Sequence, residues 1–221
     1  MQMDKVNCGK FIVLEGCEGG GKSTAAKTIA DFLGSEFGVQ PTDIIHTREP
    51  GGTPIAEEIR KILKKPRTDD SMCSEAELLL MYASRVQLVN TVIKPALAAG
   101  KWVIGDRHDL STVAYQGAGR GMDLNLINTI RTTVLGDFKP DLTLILDLPP
   151  EIGLERARGR GALDRFELED ISVFKRIRAC FLAEAQKDPA HLVVVDATKP
   201  LGEVTASIQN TLKHKLGARK Y

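Results

Sequence analysis

The chain has 221 residues, 43% of them hydrophobic, a length that buries one sizeable core and predicts a single domain over residues 1–221. Its 30 Lys and Arg nearly cancel 29 Asp and Glu, so composition forces no broad footprint for nucleic acid or anionic lipid, and any basic site must be local. No apolar run approaches the roughly 20 residues that span a bilayer, and the start "MQMDKVNCGK" has no secretory h-region, so the expectation is a soluble, cytoplasmic protein with neither nucleic acid nor membrane as partner.

The first strand candidate is "FIVLE", Phe11 to Glu15. Directly after it, Gly16 to Ser23 reads G-x-x-x-x-G-K-S and leads into the helical segment "TAAKTIADFLG", the context that a P-loop requires. Such a loop curls through Gly16, Cys17, Glu18, Gly19, Gly20 and Gly21 so that successive N–H groups point at phosphate oxygens. Lys22, Ser23 and Thr24 open the next helix, whose N-terminus adds a partial positive charge. Lys22 is expected at the β and γ phosphates of a nucleoside triphosphate, and the Ser23 hydroxyl on Mg2+.

Further strand candidates are "DIIHT" (Asp43 to Thr47), "KWVIGD" (Lys101 to Asp106), "LTLILD" (Leu142 to Asp147) and "HLVVVD" (His191 to Asp196). They are nearly continuous in apolar residues, as in parallel strands covered on both faces. Helical stretches alternate with them, which predicts an α/β three-layer sandwich around a five-stranded parallel sheet.

The most clearly marked helix is predicted from about Glu75 towards Gly100, with Ser74 and Glu77 at capping-box spacing and Pro95 removing one internal hydrogen bond. Met81 and Arg85, four apart, share one of its faces and set a basic head beside an apolar platform. Asp106 ends a strand beside the P-loop. Holding Mg2+ through water, orienting Arg107 and capping the next helix are the three readings open to it. Asp147 is Walker-B-like by position, and position alone does not choose between a metal role and a structural one. Arg156, Arg158, Arg160 and Arg165 crowd one stretch broken by Gly159 and Gly161, where they repel unless an anion or solvent intervenes. A solvated loop and a phosphate-closing lid both satisfy that pattern. Cys8, Cys17, Cys73 and Cys180 form no CxxC pair and read as reduced thiols, Cys17 as a space-filler. Trp102 reads as core, His108 as packing, and the tail "KHKLGARKY" as frayed.

A P-loop alone does not separate a kinase from a GTPase switch or an ATPase motor. Four further stretches do: "TREPGGTPIAEEIR" (Thr47 to Arg60), "YASRVQL" (Tyr82 to Leu88), "DRHDLSTVAYQGAGRG" (Asp106 to Gly121) and "RARGRGALDRFE" (Arg156 to Glu167). Together with the P-loop they resemble the thymidylate kinase family from about Lys10 to Thr198, and no guanine-reading NKxD is present. The resemblance implies a P-loop kinase fold, ATP and dTMP as substrates, Mg2+ with the ATP, and a homodimer through helix packing, for which the apolar residues of the long helix and of "NLINTIRTTVLG" offer faces.

Site roles follow from the resemblance residue by residue. It implies Glu18 facing the acceptor sugar, Arg48 and Arg107 gripping the acceptor phosphate, Arg85 on the pyrimidine carbonyl, and Thr112 and Gln116 lining the base pocket. Lys22, Arg107, Arg158 and Arg160 are the expected catalytic cations, Arg156 borders the adenine, Arg165 ends the loop, and Ser23 and Asp106 are the expected metal positions. The arginine-rich stretch, about 156–167, matches the lid of the bacterial branch, whose P-loop likewise carries no arginine. One position departs: where the family typically stacks a phenylalanine on thymine this chain has Met81, a flexible thioether without a ring plane. That substitution leaves a related kinase with another acceptor as the alternative. Tyr82 points about 100° round the helix and does not replace the missing ring.

Overall fold

The structure, a computed structural model, describes residues 9–159 and 164–217. Five strands form one parallel sheet in the order β2-β3-β1-β4-β5. They are β1 (Phe11–Glu15), β2 (Ile44–Arg48), β3 (Trp102–Asp106), β4 (Leu142–Asp147) and β5 (Leu192–Asp196). The five-stranded α/β expectation holds, with single-residue shifts at the ends of β2, β3 and β5.

Alternation of side chains divides the core between two faces. Ile12, Leu14, Trp102, Ile104 and Leu144 pack against α1 (Lys22–Phe37) and, near the end of the described chain, the helix Leu201–Leu216. Trp102 is core, as expected, tilted against Phe37. The residues 213–216, expected to fray, complete that last helix. Phe11, Val13 and Val103 face the other way, towards the long helical region and the helix Leu124–Leu135. β1 is buried throughout, whereas β2 and β5, at the two edges, are only partly covered.

The long helix is interrupted. After α2 (Pro54–Lys64), α3 runs Ser74–Leu88, a π-helical turn follows at Val89–Ile93, and α4 completes the element at Lys94–Ala98. Pro95 has no N–H to offer the carbonyl four residues back, and the wider turn just before it accommodates that loss. The Ser74–Glu77 capping box does not form. Cys73 is the N-cap, without a side-chain cap bond, and Glu77 turns inward, where guanidinium partners bind it more strongly than an exposed cap would.

Register aligns the carboxyl ends: Leu14 lies opposite Asp106, Asp106 opposite Arg48, and Glu15 opposite Ile145. The order changes direction at β1, and ligands of open α/β sheets bind in the crevice beyond that point. The next elements, α5 (Asp109–Thr112), a π-helical stretch at Val113–Gly119 and α6 (Leu124–Leu135), lie after β3, and α7 (Pro150–Arg158) follows β4. The last two helices are α8 (Ile171–Lys187) and α9 (Leu201–Leu216).

Candidate active site

The P-loop leaves the centre of the sheet and curls tightly. Gly16 has φ 121° and a side chain there would meet Leu146 O at 2.4 Å, while Gly19 has φ 72° and would meet Gly153 O at 2.3 Å. Only glycine fits such close backbone approaches. Gly21 caps α1 without a side-chain bond, so the first N–H groups of that helix remain for an anion. Ser23 and Thr24 are exposed at its start. Lys22 Nζ donates to Gly16 O and Cys17 O, at 3.2 and 3.0 Å. Burial, then the like charge of Arg107, lowers its pKa. Cys17 packs into the core, and burial pushes its thiol up to about 12.

Beside the P-loop, an open cleft spans the carboxyl ends of β2 and β3. Arg48, Arg60 and Arg107 line one part of it, and Met81, Arg85 and Gln116 another. Arg107 sits at φ 70°, a left-handed conformation uncommon outside glycine, with its N–H on Leu14 O. Its guanidinium donates to Glu18 Oε1 at 2.5 Å and lies 4.9 Å from the Tyr115 ring centroid. Tyr115 also donates to Glu18, 2.8 Å from Oε2. Burial alone would raise the Glu18 carboxyl, but Arg107 and Lys22 outweigh it and hold it below the usual carboxylate range. Arg48 is exposed and forked onto Glu57 at 3.0–3.2 Å, and Arg60 donates to Pro50 O at 2.7 Å.

The other end of the cleft is built on a buried ion pair. Arg85 is 2% exposed, with Nε 2.6 Å from Glu49 Oε2 and a terminal N–H on His108 O at 3.2 Å. Glu49 meets His108 Nδ1 at 2.7 Å through its other oxygen, and His108 is wedged edge-on against Phe11 and Phe138. Burial would raise the Glu49 carboxyl, yet Arg85 and then His108 bring it below its ordinary value. His108 therefore packs, as expected, and also steadies the partner of Arg85. A further N–H, on Nη1, lies 3.4 Å from Asp109 Oδ1, and of the five N–H donors of a guanidinium those left over from these contacts can meet a ligand. Tyr82 turns into the core, its hydroxyl on Asp109 at 2.9 Å, and leaves Met81 to face the cleft. The π-helical stretch brings Tyr115 and Gln116 to the wall just after Thr112. Thr112 Oγ1 is buried with no partner among the described residues.

Asp106 lines the cleft, and its Oδ1 is buried without a partner among the described residues. A helix-capping role would have engaged that oxygen. It and the exposed Ser23 hydroxyl are hard oxygen donors, the chemistry Mg2+ takes when substrate phosphates complete its shell. The start of α5 is instead held by Glu15, whose carboxylate accepts from His108 N, Ser111 N and Ser111 Oγ. Asp147 is forked by Arg178 at 2.7 and 2.8 Å, so its position at the end of β4 serves an ion pair.

Arg156 lies within 3.5 Å of Gly19 O and Ala197 O, beside a second hollow also lined by Gly21, Thr24 and Lys199. Arg165 is engaged on the far side of the stretch: Nε donates to Leu63 O at 2.8 Å and a terminal nitrogen lies 2.6 Å from Glu77 Oε2. Arg160 and the side chain of Arg158 lie outside the described residues.

Sequence reasoning missed Glu15, Glu49, Arg60, Glu77, Tyr115 and Phe166, the last lining the cleft with its ring edge-on to Tyr115. Glu49 sits inside "REPGG" and Tyr115 inside "AYQG", so the motifs contained them, but their partners are distant in sequence and left no local signal.

The thymidylate kinase family model matches residues 14–208. The chain is 56% identical over 202 residues to a thymidylate kinase of Shewanella amazonensis, covering 91% of this chain and 95% of that one. It is 54% identical over 206 residues to one from Vibrio parahaemolyticus, covering 93% and 96%. The crystal structure of thymidylate kinase from Ehrlichia chaffeensis is similar with a TM-score of 0.74 at 31% identity, over 94% of this chain and 98% of that one. With the parallel sheet and the P-loop beside an arginine-lined cleft, these likenesses establish that the chain belongs to the thymidylate kinase family.

Proposed function

We infer that the chain transfers the γ-phosphoryl group of ATP to dTMP, giving dTDP and ADP on the route to dTTP. The carrying observation is the cleft itself, which joins a cluster of arginines at the strand ends to a pocket walled by Arg85, Thr112 and Gln116 beside the P-loop. In this reading the P-loop N–H groups from Gly16 to Thr24 cradle the ATP phosphates, and Lys22 exchanges its loop carbonyls for the β and γ oxygens. Arg48 and Arg107 hold the dTMP phosphate so that one of its oxygens faces the γ-phosphorus in line with the bridging oxygen that leaves with ADP. Glu18, already fixed by Arg107 and Tyr115, faces the deoxyribose. Met81 and Arg85 contact the base. Ser23 and Asp106 would hold Mg2+, which neutralises charge on the β and γ oxygens.

The chain works as one nucleoside monophosphate kinase domain, with a lid over about 156–167. Arg158 and Arg160 stabilise the charge on the transferring group and Arg156 borders the adenine, beside the hollow at Gly21 and Thr24. No described helix is long and apolar enough to cross a membrane. The protein acts in the cytoplasm on free nucleotides, and as a homodimer. Exposed Leu79 on α3 and Leu124, Leu126 and Val134 on α6 support pairing through those helices, which sedimentation at micromolar concentration tests.

A coupled ADP-release assay with and without dTMP tests the reaction. Turnover dependent on the monophosphate is expected; equal ADP release without it would make the protein a P-loop ATPase.

A further inference from the structure

Glu77 is a buried carboxylate that the phosphoryl-transfer chemistry leaves unused. It lies in the first turn of α3, 1% exposed, and is not part of the acceptor cleft wall. Its Oε1 accepts from Gln116 Nε2 at 2.6 Å, its Oε2 lies 2.6 Å from a terminal nitrogen of Arg165, and Arg120 reaches both oxygens at 3.3–3.4 Å. Burial works against its charge, but Gln116, Arg120 and Arg165 together keep the carboxyl below its ordinary range.

An ionised carboxylate only accepts hydrogen bonds. The amide of Gln116 must therefore turn its NH2 towards Glu77, because the reverse orientation would set a carbonyl against a negative oxygen at 2.6 Å. Gln116 is itself 1% exposed and lines the cleft. Its Oε1 takes no donor from the described residues and is not sealed from solvent, so the carbonyl is the end presented to a ligand.

We propose that Glu77 is a positioning residue for base selection: by fixing the Gln116 amide it presents a carbonyl acceptor to the acceptor base. That acceptor complements the N3–H of a thymine or uracil ring and opposes the unprotonated N3 of cytosine, so the selection is built one residue behind the pocket wall. The inference rests on the reading that Gln116 meets the base. Glu77 also ties down Arg165, whose N–H and Nε reach Lys64 O and Leu63 O. Losing that second contact disturbs lid order or ATP affinity, which scales turnover of every monophosphate alike, so discrimination, and not overall activity, is the diagnostic quantity.

The experiment measures kcat/KM for dTMP and dCMP in the wild type, Glu77→Ala, Glu77→Gln, Gln116→Ala and the double variant Glu77→Ala/Gln116→Ala. The dTMP-to-dCMP ratio is expected to fall about tenfold or more in Glu77→Ala and in Gln116→Ala. Glu77→Gln, which keeps one acceptor, should fall between, and the double variant should be no less selective than Gln116→Ala alone. If Gln116→Ala lowers the ratio while Glu77→Ala scales both substrates equally, Glu77 is a structural support and the proposal is overturned, with the base pocket intact. If Gln116→Ala leaves the ratio unchanged, the base-pocket reading falls and the proposal with it. Should Glu77→Ala fail to fold, the side-chain amide of Gln116 decides in the native enzyme, assigned as the resonance absent from Gln116→Ala. Slow hydrogen exchange there supports the fixed amide, and exchange as fast as that of exposed amides overturns it.

Discussion

Glu49→Ala perturbs the acceptor site without touching the P-loop. Glu49 is the buried partner of Arg85 at 2.6 Å and meets His108 through its other oxygen at 2.7 Å. Removing one member of a buried ion pair costs about 3–5 kcal/mol, because the other charge stays buried without compensation. Unfolding entropy of about 2.1 cal/mol/K per residue gives roughly 0.46 kcal/mol/K for 221 residues, so Tm should fall by about 6–11 °C. Freed from Glu49, the Arg85 guanidinium loses its orientation, and KM for dTMP should rise by about tenfold while KM for ATP stays within about twofold. Glu49→Gln keeps an acceptor and the shape, and should lose less on both counts. The pH dependence has a definite sign. The folded-state pKa of Glu49 is lowered from 4.5, so its stabilisation is present above that value and is lost as pH falls through the depressed folded one. The stability gap between wild type and Glu49→Gln should thus be flat near neutrality and shrink in acid. Thermal melts across pH with steady-state kinetics on both substrates provide the check. A Tm within about 2 °C of wild type together with an unchanged KM for dTMP would refute the role given to this pair.

Three further outcomes follow. Lys22→Ala should keep the fold and lose turnover by orders of magnitude, since a charge at the transferring phosphate is removed; an active variant would break the P-loop assignment. Arg107→Ala should weaken every monophosphate alike, and Arg85→Ala should do so in a base-dependent way; if both raise KM for ATP and leave dTMP untouched, the acceptor site is misplaced. Single-turnover kinetics on Arg158→Ala and Arg160→Ala should lower the chemical rate by about 10³ with little change in ATP binding, whereas Arg156→Ala and Arg165→Ala should act on ATP affinity or lid order. Equal small effects at all four would leave only a solvated charged loop.

The P-loop was legible because its chemistry is local: glycines, lysine and hydroxyl fall within ten residues after a strand. The placement of Arg48 and Arg107 on the cleft was legible from the motifs that carry them, since both leave strand ends, where open α/β sheets bind ligands. Glu49 and Glu77 were not. Their partners Arg85 and Gln116 lie 36 and 39 residues away, and no periodicity links them. Glu77 was misread for a physical reason, since capping-box spacing is satisfied equally by a residue that turns inward once guanidinium groups await it. The break in the long helix was half-legible: Pro95 announced a lost hydrogen bond, but not that a π turn beginning at Val89 would absorb it. Asp147 looked Walker-B-like until Arg178, 31 residues on, was found to occupy both its oxygens.

The most direct measurement follows the label from γ-phosphate-labelled ATP into product, with dTMP, dUMP, dCMP and dGMP offered separately and compared by kcat/KM. The label should appear in the nucleoside diphosphate, with dTMP preferred over dCMP by about a hundredfold or more. Label released as inorganic phosphate irrespective of the monophosphate, or transferred to dCMP or dGMP as readily as to dTMP, would contradict the account.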